Sequence, residues 1–262
     1  MSYPACPKCG HSPLPADQAL PAACPACGLV LAKFASLPLR APIDEADEAD
    51  EPAEESFVAR WLLHVPAEVY RVYWYWRIAA LVVLTGYTLE IFRDTDIKYG
   101  DLGGWFLGKV ILPWHEAGHL IFRPFGEFMM ILGGTLAQHL FPIILGVALL
   151  IKRRDSFGAA LAFWLLGYSV IYTGWYMHDA GDPQGMMVNG QSSAETDGHD
   201  FVNIFSYMGG WWLQRATTIG IIVGRLGEAM MLAGLGWGAY LVWLQKENLS
   251  DSPFAESQVG KE

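Results

Sequence analysis

Apolar stretches long enough to cross a bilayer occupy about residues 72–92, 102–122, 127–151 and 156–178, with a last one inside 216–244. A helix needs about 20 apolar residues to traverse the hydrocarbon core. Within that core only helices and closed barrels satisfy their own backbone. The chain is therefore expected to fold as an all-α polytopic membrane bundle of about five transmembrane helices. Tyr73, Trp74, Tyr75 and Trp76 open the first span as an aromatic belt. The composition agrees, with 53% hydrophobic residues and 11 Trp among 262. Residues 57–71 are expected to form an interfacial helix, 72–246 the membrane domain, 201–213 a half-helix or interfacial helix, and 247–262 a disordered tail.

The second span carries His115-Glu116-Ala117-Gly118-His119 in its last third. Residues four apart on a helix share a face at about 6 Å, so both imidazoles can reach one metal ion. Glu116 can take a proton from a metal-bound water without being a ligand. Ionisable side chains within a span are costly and usually mark a working site. Two buried, hydrogen-bonded histidines would be the plainer explanation, but it leaves Glu116 without a place.

All four cysteines fall in the first 27 residues, as Cys6-Pro-Lys-Cys9-Gly and Cys24-Pro-Ala-Cys27-Gly. Two such knuckles match the spacing of a zinc ribbon over residues 1–40. The glycine after each knuckle permits a left-handed turn that aims backbone amides at sulfur. So short a segment builds no core of its own, so a structural zinc would supply the folding energy. Residues 41–56 hold eight acids and no base, and are expected to be a disordered linker. Residues 1–56 carry nine acids against three bases, within a net charge of −10. That balance excludes nucleic acid as a partner, since phosphate binding needs a basic surface. A cytoplasmic protein partner suits the ribbon better. The Cys- and Pro-rich start has no apolar signal-peptide core.

Reversals through five spans place the amino terminus, the 123–126 turn and the 179–199 loop on one side. The positive-inside rule would put Lys152-Arg153-Arg154 in the cytoplasm. A four-thiolate ribbon needs a reducing compartment. The two demands conflict, and the expectation adopted is a cytoplasmic ribbon with Lys152-Arg153-Arg154 on the far side. A catalytic zinc usually has three protein ligands. Same-side candidates are His178, Asp179, Asp182 and the pair His199-Asp200, with Asp179 and His199 preferred. His139 is too deep, while Gly133, Gly134 and Thr135 stand at the right depth, either for close approach to the metal or for helix packing. Arg225 and Glu228, spaced i, i+3, are expected to form an internal ion pair.

The HEAGH motif, the Pro124-Phe125-Gly126-Glu127-Phe128 turn, Leu132-Gly133-Gly134-Thr135, His178-Asp179-Ala180 and the Gly198-His199-Asp200-Phe201 box together resemble multi-pass bacterial zinc-metallopeptidase-like proteins, distant relatives of the site-2-protease intramembrane peptidases. The resemblance covers about residues 100–213. It implies zinc ligation by His115 and His119, with Glu116 as general base. It also implies that Asp179 takes the place of the aspartate supplied by a later span. This chain has no Asn/Leu-Asp-Gly there, and Phe201 stands where that branch commonly has Trp, so the third ligand stays open between Asp179 and His199. The expected activity is hydrolysis of a peptide bond in a membrane or membrane-adjacent protein, by an integral protein of the bacterial inner membrane. The alternative is an inactive scaffold that recruits a cytoplasmic partner through the ribbon. A metal transporter or sensor is a third reading, but its ligands would line a through-path, and here they stand at one depth.

Overall fold

The computed structural model describes residues 3–20, 22–34, 56, 58–94, 106–181, 185 and 198–251. Most of the expected acidic linker, Asp182 with most of its loop, and the tail beyond 251 lie outside the described residues. The chain divides into two units, Met1–Glu54 and Glu55–Glu262.

In the first unit the two cysteine knuckles repeat one hydrogen-bond pattern. Cys6 N–H donates to His11 O at 2.9 Å, and Gly10 N–H to Cys6 O at 2.8 Å. Cys24 N–H donates likewise to Leu29 O, and Gly28 N–H to Cys24 O, both at 2.9 Å. Gly10 and Gly28 have φ of +71° and +68°, the left-handed turns that glycine alone adopts without strain. An antiparallel bridge joins Ala23 to Val30, and α1 (Leu31–Phe34) follows.

The second unit is helical. Its main elements are α2 (Arg71–Asp94), α3 (Phe106–Phe122), α4 (Glu127–Ala148), α5 (Ser156–Asp179), α6 (Asp200–Met208), α7 (Gly210–Leu213) and α8 (Ala216–Gln245). Among the described residues four helical stretches are long and apolar enough to cross a membrane: Arg71–Arg93, Glu127–Arg153, Ser156–Asp179 and Ala216–Asn248. The expected second span is not among them. Its described helix, α3, has 17 residues, about 25 Å at 1.5 Å per residue and shorter than the hydrocarbon core.

The bundle is organised around α5, whose Trp164, Tyr168, Ile171 and Trp175 pack with Ile91, Ile111 and Met231. Helix α8 runs antiparallel to α5 along glycines. A Cβ on Gly227 would stand 2.6 Å from Gly167 O, and one on Gly234 would stand 2.9 Å from Trp164 N. Small residues let the two backbones approach closely, which drives packing where lipid removes the hydrophobic incentive. Arg225 lies one residue past Gly224 and so turns away from this contact. It pairs with Glu228 at 2.7 Å, but its side chain is 68% exposed. Glu228 is 15% exposed, so the pair expected to be internal runs from a half-buried carboxylate to a guanidinium on the outer face of α8.

Two bundle ends follow from the contacts. At one end a two-residue parallel ladder pairs β1 (Val69–Tyr70) with β2 (Leu249–Ser250). Trp74 Nε1 donates to Val242 O at 2.9 Å, and Arg77 to Gln245 Oε1 at 2.7 Å. Ser156 Oγ donates to Trp61 O at 3.0 Å, and Trp237 Nε1 to Leu62 O at 2.8 Å. At the opposite end lie the end of α5, the start of α8 and the α3–α4 turn. Helix α3 is antiparallel to α4, and α4 to α5, whereas α2 is antiparallel to α8. Helices α2 and α3 therefore point the same way, with the first turn of α3 beside the Tyr87 hydroxyl of α2 at 3.4 Å.

This geometry overturns the expected reversals. The segment entering the bundle at residues 58–70 shares the end of Lys152-Arg153-Arg154, not that of the 123–126 turn. The expected interfacial helix is reduced to one turn, Val58–Leu62, because Pro66 removes an amide donor and disfavours helix at Val65. Residues 247–250, read as tail, are instead a turn and strand β2.

The α5–α8 contact yields a paired test. Gly227→Ala should destabilise the bundle by about 1–3 kcal/mol through overpacking. Gly236→Ala, where a Cβ meets nothing within 4 Å, should be neutral or slightly stabilising. Unfolding of both variants in detergent, followed by circular dichroism, checks the difference.

Candidate metal centre

Two groups of side chains have the chemistry and spacing of metal ligands: Cys6, Cys9, Cys24 and Cys27 in the first unit, and His115, His119 and Asp200 in the second. In the first, Cys6 Sγ lies 3.6 Å from Cys27 Sγ, and Cys9 Sγ lies 3.8 Å from Cys24 Sγ. Four sulfurs about 2.3 Å from a central ion in a tetrahedron stand about 3.8 Å apart, so the cluster has the required size. Burial would raise the Cys6 thiol, but hydrogen bonds from the Cys9 and Lys8 backbone and from Cys27 bring it down to about 6. A backbone hydrogen bond from His11 would lower the neighbouring Cys9, but its contacts with Cys27, Cys6 and Cys24 raise it to about 12. The four sulfurs therefore share their protons unequally, with Cys6 first to become the metal-binding thiolate.

The second group is assembled by three helices. His115 and His119 share one face of α3, with ring centroids 4.8 Å apart. Helix α4 crosses close by because Gly118 meets Gly133: a Cβ on Gly133 would stand 2.6 Å from Gly118 O. Gly134 has a different neighbour, since its Cβ would fall 2.6 Å from His119 Nε2 and 2.8 Å from His115 Nε2. The two expectations for this glycine pair are thus divided between them, Gly133 for helix packing and Gly134 for room at the imidazoles. Asp200 arrives from the first turn of α6, whose buried Phe201, Ile204 and Phe205 pack against Ala180 and Ala216.

Asp200 Oδ2 lies 3.0 Å from His115 Nε2 and 3.4 Å from His119 Nε2. Both rings are oriented from behind. His119 Nδ1 lies 2.8 Å from Met130 O, a pure acceptor, so Nδ1 carries the proton. His115 Nδ1 lies 3.0 Å from Gln138 Oε1. The Gln138 amide is oriented in turn by donating from Nε2 to Thr173 Oγ1 at 2.6 Å, while Thr173 donates to Ser169 O at 3.1 Å. If both rings are neutral with Nδ1 protonated, both Nε2 lone pairs face the carboxylate. Asp200 Oδ2 is buried and has no aligned hydrogen-bond donor. Lone pairs and an anion converging at these distances are relieved by a cation between them, or by a proton on either Nε2. Ligands about 2.0–2.2 Å from a tetrahedral ion stand about 3.4 Å apart, which the separations fit. The residues therefore suit a divalent metal with two imidazoles and one carboxylate.

The site opens on one flank. His115 and Asp200 side chains are 8% and 10% exposed, His119 is 24% exposed, and Glu116 on the adjacent flank of α3 is exposed. The expected third ligands are arranged otherwise. Asp179 and His199 pair with each other, Oδ2 to Nε2 at 3.3 Å, outside the group that shares His115 and His119. Asp200, considered in the sequence only beside His199, is the residue that joins the histidines. His139 sits apart, its Nε2 3.2 Å from Thr173 Oγ1. Gln138, Met130 and Tyr176 were not foreseen. An amide in an otherwise apolar span is a signal that marks Gln138; a backbone carbonyl such as that of Met130 leaves none. No family model, curated protein or solved structure matches the chain.

Two unlike metal sites should be separable by counting. The full chain should hold two metal ions, and deletion of residues 1–40 should leave one. In that background Asp200→Ala should weaken the remaining site by more than the ~10–100-fold that follows loss of an outer partner. Elemental analysis after chelator competition checks both numbers.

Proposed function

We propose that this chain is an intramembrane zinc-dependent hydrolase that cleaves a peptide bond of a membrane or membrane-adjacent protein. The observation that carries the proposal is the convergence of His115, His119 and Asp200 inside a bundle, with Glu116 beside the exposed flank. Three protein ligands leave a coordination position open, the arrangement of catalytic rather than structural zinc. When bound, zinc supplies Lewis acidity, lowering the pKa of a water and polarising a carbonyl. Three residues, His115, His119 and Asp200, would hold the ion, and their single negative charge would leave a divalent ion net positive. Gln138 and Met130 fix the imidazole tautomers. Glu116 accepts the proton from water entering along its flank and returns it to the leaving amine. A purely structural site has no use for that carboxylate, which weighs against the inactive scaffold. The four thiolates are read as a structural zinc site and docking module for a cytoplasmic protein.

The same proposal resolves the sidedness. Arg60, Arg71, Arg77, Lys152, Arg153, Arg154 and Lys246 gather at the bundle end that residues 58–70 enter. The positive-inside rule makes that end cytoplasmic. Residues 41–56 have no apolar run to cross a bilayer, so the reducing compartment that the thiols need lies on the same side. The basic cluster and the ribbon, opposed under five reversals, agree under four spans. The His–His–Asp centre then belongs to the outer half of the membrane, the reverse of the sequence expectation.

Glu116→Gln tests the mechanism. It preserves shape and removes the basic carboxylate, so metal content should persist while turnover falls by about 10²–10⁴-fold, the usual worth of a general base. Quantitative proteomics of membranes containing wild type or Glu116→Gln, scored for lost cleavage products, reads the outcome. Cleavage by the variant at the wild-type rate contradicts the mechanism.

A further inference from the structure

Asp179 and His199 are both buried, at 4% and 1% exposure, and neither joins the metal group. We infer that the pair is a latch that holds Asp200 at metal distance, acting on the ligand without touching the ion; this rests on the metal-centre reading above.

The two ring nitrogens of His199 do separate work. Nδ1 caps α6, accepting from Phe201 N–H at 3.2 Å and Val202 N–H at 3.4 Å. An accepting Nδ1 has no proton, so the neutral ring carries its proton on Nε2; this atom lies 3.3 Å from Asp179 Oδ2, a charge contact outside the alignment of a hydrogen bond. The same carboxylate is fixed at the end of α5 by Gly185 N–H, which donates to Oδ1 at 2.7 Å. Tyr176, one turn earlier on α5, stacks on the His199 ring with centroids 4.2 Å apart. Its hydroxyl accepts from Asp200 N–H at 3.2 Å. The residue before the ligand and the ligand's own backbone are thus both tied to the last turn of α5.

The choice of histidine at this cap supports the role. Ser, Asp or Asn caps a helix better, but each ends where its capping atom ends. Only imidazole offers a second nitrogen on the far side of the ring to reach Asp179 while the first caps α6. Helix α6 has nine residues and the loop before it is long, so its position along the bundle axis needs such a tie. Residues that orient metal ligands typically change affinity by ~10–100-fold when lost.

The test uses the full-length chain with all four cysteines changed to Ser, so that only the His–His–Asp centre loads. Cobalt(II) serves as the probe: its affinity is measured by chelator competition and its ligand set by visible absorption. His199→Asn keeps a good helix cap and breaks the link to Asp179; Asp179→Ala breaks it from the other side. Each should weaken cobalt by ~10–100-fold and shift the visible bands as the carboxylate withdraws, with helical circular dichroism unchanged. The double variant should bind no worse than the weaker single, since both remove one link. Wild-type affinity and spectrum in His199→Asn would overturn the latch, as would additive losses in the double variant. A parent that takes up no cobalt would instead reject the metal centre itself, and the latch with it.

Discussion

Two imidazole lone pairs and a buried carboxylate directed at one small volume are the constraint on which the rest of the second unit depends. Without a cation the arrangement is costly, because a buried anion needs a partner and lone pairs repel. Each surrounding feature either creates the convergence or preserves it. Gly118 and Gly133 let α3 and α4 approach until Gln138 and the Met130 carbonyl stand behind the rings. Gly134 leaves the space that a methyl group would take from both Nε2 atoms. The α5–α8 glycine contact fixes the helix whose last turn receives α6.

The direction of the chain gives the centre its setting. Because β1 pairs with β2, the start of α2 and the end of α8 lie at one end of the bundle, and among the described residues four helices are long and apolar enough to span. The described part of α3 begins beside Tyr87 in the second half of α2 and points the same way.

Much of this was legible in local sequence. The i, i+4 histidines, the left-handed glycines after each knuckle and the shared end of α3, α5 and His199 each follow from spacing or chain order. What was not legible depends on contacts between distant segments. His199 and Asp200 are adjacent, and about 100° of helical rotation at the start of α6 decides which meets the histidines. The i, i+3 spacing of Arg225 and Glu228 identifies an ion pair but not the face it occupies, which the glycines against α5 decide. Hydropathy over 102–122 measures apolarity and says nothing of direction, which is read from contacts between segments distant in sequence.

X-ray absorption at the zinc edge, on the full-length chain with Cys6, Cys9, Cys24 and Cys27 changed to Ser, tests the central claim most directly. The expected result is one zinc per chain with nitrogen and oxygen neighbours at about 2.0–2.2 Å, two imidazole rings in the outer scattering, and loss of one light-atom neighbour in Asp200→Ala. A chain that retains no zinc once its thiols are gone, or whose zinc environment is unaltered by Asp200→Ala, would contradict the account.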